Sequence, residues 1–154
     1  VAPATWPTIR ENILENVKTT LQAIAAGSKF IQPYPTVSRD VKHPTEVGTT
    51  KFPALYISPP EEALAHRTWQ KTRNELSLIV TGYIRADAGE NSGQELEKLV
   101  HDVKIALNQD LTRGGYAENT LVGPMIRRTQ GVAPEMAGID IEVTVWYRHH
   151  REVA

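Results

Sequence analysis

Five histidines, eighteen acidic residues and a scatter of serines give this 154-residue chain groups that could do chemistry, and their spacing decides what they can do. His43, His66, His101, His149 and His150 form no HExxH or comparable metal-ligating pattern. His101 beside Asp102 reads as a solvated pair on a helix face, and His149-His150 as a basic surface tail with Arg148 and Arg151. Gly114-Gly115 lacks the glycine-lysine-serine/threonine ending of a phosphate loop. It also follows a helix instead of opening one, so it reads as a turn. Ser28, Ser38, Ser58, Ser77 and Ser92 stand outside any GxSxG context. Glu61, Glu62, Glu95, Glu97, Asp102, Asp110, Asp140 and Glu142 fall mostly on expected polar faces. Acid–base work needs paired carboxylates in unequal environments, which those faces do not supply. The expectation is a non-enzyme with no metal and no cofactor.

Binding chemistry is better served. Ile139, Ile141, Val143, Val145 and Tyr147 alternate with Asp140, Glu142, Thr144, Trp146 and Arg148, as in a strand with one buried and one wet face. Trp146 on the wet face, with Arg148 and Glu142, has the composition of a protein–protein hot spot. The competing reading has a helix covering the tryptophan. Arg127 and Arg128 would join Arg148 and Arg151 in a basic cluster if the last two strands pair. Trp146, Arg148, Glu142, Arg127 and Arg128 are the candidate interface.

The elements that must position them follow from periodicity. Ile9, Ile13, Val17, Leu21 and Ile24, widened by Leu14, predict an amphipathic helix over 8–26, opened by a Thr8–Glu11 capping box and closed by Gly27. Thr36 to Lys42 reads as a short edge strand, and Lys42 to Lys51 as a flexible loop. Phe52 to Ser58 is a short strand stopped by Pro59-Pro60. Residues 61–74 read as irregular, the alternatives being a short helix or an extended arm of a hairpin leading into the strand at Glu75. From Glu75 to Ile84 one parity is apolar, and Ile79 and Tyr83 make the other partly so, which predicts a central strand covered on both faces. A polar turn leads to a second helix, capped by Ser92 with Glu95 and striped by Leu96, Leu99, Val100, Val103 and Leu107. A turn over 108–116 precedes a strand over 120–130 broken near Gly123-Pro124, and the alternating strand described above ends the chain. Runs of strands separated by a lone helix predict a single α+β domain over 1–154. Its sheet is mostly antiparallel, with two amphipathic helices packed on one face.

Composition sets the outer bounds. A net charge of −1 disfavours a protein whose main task is holding nucleic acid. Zero cysteines exclude disulfides, thiolate nucleophiles and the usual structural zinc sites. No run approaches the roughly 20 apolar residues of a membrane span, and no secretory leader is legible.

With these elements in order, the chain resembles the tail terminator (tail completion, minor tail U-like) proteins of long-tailed bacteriophages. The carrying residues are the Ile9–Ile24 helix, Thr36-Val-Ser-Arg, Phe52-Pro-Ala-Leu-Tyr-Ile and the Leu76–Ile84 strand. The run from Leu96 to Asp110 into Leu111-Thr-Arg-Gly-Gly and the final Ile139–Tyr147 strand complete the match. The resemblance implies a small α+β subunit of a homo-hexameric ring that caps the tail tube, stops its polymerisation and meets the head connector. DNA would pass through such a ring without specific binding. It further implies a place in the virion tail or neck, after assembly in the host cytoplasm, and no catalytic residues. The alternatives are another neck or connector subunit, a small enzyme, or a cytosolic adaptor. Polar loops near 42–51, 86–94 and 112–119 are expected to stiffen on the tube end.

Overall fold

A helix whose apolar residues recur every three or four positions must bury that stripe, and the first helix does so from Ile13 onward, with Ile9 partly buried at its start. In the computed structural model, which describes residues 6–24, 30–39, 53–67, 71–85, 92–128 and 136–150, α1 runs Ile9–Gln22. Thr8 is its N-cap, accepting the Glu11 N–H at 3.1 Å. The reciprocal half of the expected capping box is not made, because the Glu11 carboxylate turns to Arg39 instead. Ile13, Leu14, Val17 and Leu21 are buried in the helix, and Ile24 just beyond it. At about 1.5–3 kcal/mol each, their burial contributes on the order of 10 kcal/mol gross. Gly27, the expected terminator, lies outside the described residues.

The remaining elements are β1 (Thr36–Ser38), β2 (Ala54–Ile57), β3 (Glu61–Arg67), β4 (Lys71–Arg85), α2 (Ser92–Asn108), β5 (Asn119–Arg128) and β6 (Met136–His150). They build one six-stranded sheet in the order β1-β2-β4-β6-β5, with β3 also paired to β4. Only β1 and β2 run parallel; every other pairing is antiparallel. The fold is α+β, with both helices on one sheet face: the buried residues of α1 and α2 share a single core with Leu76, Leu78, Val80, Ile84, Ile141, Val143 and Val145. β4 and β6, 15 residues each, pair over their whole length and form the spine.

Gly82 explains how closely α2 docks. A Cβ at this position would lie 2.6 Å from both methyls of Leu99, so the missing side chain is what lets the helix rest on the β4 backbone. On the other sheet face Tyr83 and Thr81 are buried, so β4 is covered on both sides at this end, as its two apolar parities predict.

Residues 61–74, expected to be irregular, are instead a strand and the start of its partner. β3 pairs β4 from Glu61↔Ser77 to Arg67↔Thr72, and β4 begins at Lys71. β2 and β3 lie along the same edge of β4, separated by Ser58-Pro59-Pro60. Five residues from Ile57 to Glu61 face four from Ser77 to Val80. The prolines have no N–H to offer the ladder, and Ser58 bridges the gap twice. Its N–H donates to the Ile79 carbonyl, and its hydroxyl accepts the Ile79 N–H, both at 2.9 Å.

Candidate functional site

Strand register gives the sheet an outer face, opposite the helices, and this face carries the candidate interface residues. Asp140, Glu142, Thr144, Trp146 and Arg148 alternate with the core residues of β6, opposite Thr81, Ile79, Ser77, Glu75 and Arg73 of β4. The face has three zones. At one end Ala54, Tyr56 and Tyr83 form a small second cluster, the two rings tilted at 60° with centroids 6.0 Å apart. Beside it the Thr81 hydroxyl donates to Asp140 at 2.8 Å. In the middle Leu121, 55% exposed, and Ile126, 63% exposed, project outward from β5 opposite Thr144 and Asp140. Ile79 and the exposed Glu142 stand cross-strand beside them.

At the far end Arg73 and Arg148 face each other directly, an unfavourable like-charge pair. Glu118 lies between them, 3.0 Å from the Arg73 Nε and in contact with the Arg148 Nε. The Glu118 N–H donates to the Trp146 carbonyl at 2.7 Å, which ties the segment before β5 to β6. Trp146 is half-buried on the face without helices, so a covering helix is not the reason for its presence.

Of the expected basic cluster, Arg151 lies outside the described residues, and Arg127 and Arg128 do not meet Arg148. β5 and β6 do pair, but in a register that sets Arg127 opposite Ile139 and Arg128 opposite Gly138. Arg148 lies nine and ten residues further along β6, about 30 Å away at 3.3 Å per residue. The candidate set thus divides: Glu142, Trp146 and Arg148 share the outer face, and Arg127 and Arg128 belong to the opposite end of the strand pair. The break expected near Gly123-Pro124 is present as a register shift between Val122 and Met125, with a cis Gly123-Pro124 bond.

Several ionisable residues that looked like solvated surface hold the fold together. Asp102 is fully buried, not a surface partner of the exposed His101. Its carboxylate accepts the Ile31 N–H at 2.8 Å, the Gln32 N–H at 3.3 Å and the Tyr34 hydroxyl at 2.9 Å. Burial pushes the Tyr34 pKa up, and the adjacent carboxylate adds to the shift. Arg39, just past β1, grips Glu11 through both carboxylate oxygens, at 2.5 and 3.1 Å, and reaches Glu15 at 2.8 Å. The Arg39 hydrogen bond holds the Glu11 pKa below its usual value, against the opposing effect of burial. This clamp walls an open cleft of about 420 Å³ between α1 and the ends of β1 and β2, where Lys18, Ser38 and Ser58 also lie.

The turn after α2 is equally committed. Asp110 accepts the Thr112 hydroxyl and N–H and the Gly114 N–H, at 2.6, 2.9 and 2.8 Å. The Thr112 hydroxyl, then the two N–H groups, lower its pKa. The only anion that this glycine turn cradles among the described residues is therefore the chain's own carboxylate. Arg113 adopts a left-handed backbone (φ 50°) and is fully buried. Its guanidinium donates to the Leu107 and Asp110 carbonyls, a cation at the C-terminal end of a helix where the dipole favours one.

Among the histidines, His101 borders a shallow groove on α2 with Ile105, Asn108 and Gln109. His149 lies 5.9 Å from the Tyr147 ring, while His43 and the side chains of His66 and His150 lie outside the described residues. Among the described residues no three His, Asp or Glu side chains are grouped to hold a metal ion.

No family model matches the sequence, and no curated protein matches it either.

Proposed function

We propose that this chain is a structural subunit of a phage neck. Copies of it form a homo-hexameric ring that caps the tail tube, halts tube polymerisation and meets the head connector. The observation that carries the reading is the outer sheet face, where Leu121 and Ile126 stand mostly in water on β5, one on either side of its register shift. Paired aliphatics so exposed on an edge strand are characteristic of surfaces that meet another protein. The strongest ionisable clusters, around Asp102, Arg39 and Asp110, are engaged within the fold. That pattern suits a building block better than a reaction centre. The order of elements along the chain, which underlies the resemblance to tail terminators, supports the same reading. A net charge of −1 suits a ring through which DNA must pass without being held. Assembly would occur in the host cytoplasm, and the mature location would be the virion tail or neck.

The test is to add the purified protein to polymerising tail-tube protein and measure tube lengths by electron microscopy. Six-fold rings seated on tube ends, with growth arrested, are the expected result. Unchanged tube lengths together with an absence of rings would remove the reading, and twelve-fold rings would transfer it to a connector subunit.

A further inference from the structure

Two surfaces on opposite sides of the subunit are complementary. On the outer sheet face Glu142 is exposed and has no cationic partner among the described residues; Asp140 and Thr144 flank it along β6, and the aliphatic side chains of Ile79, Leu121 and Ile126 stand on the strands to either side. On the far side α2 turns one arc into the core and leaves another in water. His101, Lys104, Ile105 and Asn108 follow one another at helical spacing along the exposed arc. Lys104 has no carboxylate partner among the described residues. Glu97, the acid on the same arc, lies seven residues away, about 10 Å along the axis. Ile105 is 36% exposed and borders the shallow groove on this helix.

We infer that the outer sheet face is covered by the exposed arc of α2 from a second copy of the chain. Lys104 of one protomer meets Glu142 of the next, and Ile105 enters the patch of Ile79, Leu121 and Ile126. The inference rests on the ring reading and names its subunit contact. A sheet face left bare over part of its area, as this one is around Leu121 and Ile126, is completed by a layer of helix, and here the chain's own helix supplies the matching charge. Other described cations are engaged or set elsewhere. Arg39 holds Glu11 and Glu15, Arg73 and Arg148 share Glu118, and Lys98 pairs with Glu95. Lys18, the other described lysine side chain without an ion pair, borders the polar cleft beside Glu15. Because the two surfaces are different and do not overlap, the contact is head-to-tail, the kind that makes a ring when its rotation closes.

Charge reversal tests the pairing directly. Glu142→Lys and Lys104→Glu should each weaken self-association by about tenfold or more, since each sets like charges together in the contact. The double variant should recover most of the loss. Ile126→Glu, at a site mostly in water, probes the same face without relying on the ion pair and should also weaken association. Circular dichroism and thermal melts of each variant, expected to match the parent, verify folding. Single variants that assemble normally, or a double variant no better than either single, would overturn the pairing while the parent's rings kept the ring reading intact. A parent that forms no rings, alone or on tubes, would remove both.

Discussion

Asp102 shows how much one side chain can decide. Two backbone N–H groups and a buried hydroxyl converge on its carboxylate from the segment preceding β1, so this segment is fastened to α2 by one residue. Asp102→Ala would leave all three donors without an acceptor inside the protein, at a cost on the order of 3 kcal/mol. Tyr34→Phe removes the hydroxyl's bond to Asp102 together with the longer one, 3.5 Å, that it accepts from the Gln32 side-chain amide, and should cost about 1 kcal/mol. Urea unfolding of both variants and of the double variant measures the coupling, and purely additive losses would mean the hydroxyl and carboxylate act independently. Asp110 and Glu11 supply a pH dependence. Both have folded-state pKa values lowered by hydrogen bonds, so their stabilisation is complete above the unfolded-state carboxylate pKa and is lost as pH falls through the folded one. Asp110→Asn and Glu11→Gln should each flatten the loss of thermal stability between about pH 5 and pH 2. A slope equal to the parent's would show that the carboxylates contribute nothing. Asp102 was partly legible in the sequence. It lies three residues after Leu99 and four before Ala106, both core residues, so the apolar stripe runs beside it. What periodicity cannot supply is the set of donors, which arrive from a segment some seventy residues earlier.

At the scale of elements, legibility follows the source of each signal. Both helices, the central strand and the alternating last strand are written in local periodicity, and all four are present. β3 was legible only as the hairpin-arm alternative, because Glu61-Glu62-Ala-Leu-Ala-His-Arg has no alternation; it is a strand because β4 offers it an edge and Ser58 carries the pairing past the prolines. The misplaced basic cluster has a related cause, since pairing of the last two strands was foreseeable from local alternation but their register was not. Gly82 is the element-scale feature most open to test. Gly82→Ala drives a methyl into Leu99, which is fully buried and has little room to retreat. A destabilisation of about 1–3 kcal/mol is expected. Combining it with Leu99→Ala should give less than the sum of the two losses, because the new methyl occupies part of the space the leucine vacates. Strict additivity in urea unfolding would argue that the strand and helix do not meet at this point.

For the whole molecule, the division between a helix-covered face and an outer face determines which parts are free to respond to a partner. The turn over 112–117 was expected to gain order on the tube end, yet it is already closed by its own groups. Asp110 holds Thr112 and Gly114, and the Ala117 N–H donates to the Thr112 carbonyl at 2.8 Å. The Thr120 hydroxyl donates to the Leu111 carbonyl at 2.9 Å, and Arg113 is buried beneath the turn. A segment so anchored has little conformational entropy left to lose on binding. Hydrogen exchange of the free subunit should therefore show the Gly114 and Ala117 amides slowed, with no further slowing on tube ends. By contrast, the outer-face strand β5, an edge strand interrupted at Gly123-Pro124, pairs only with β6. Its amides should exchange faster than those of the β4–β6 spine in the free subunit, and slow down when copies assemble. If the turn gained protection on assembly and β5 did not, the contact surface would have to move from the outer face to the end of the domain that carries the turn.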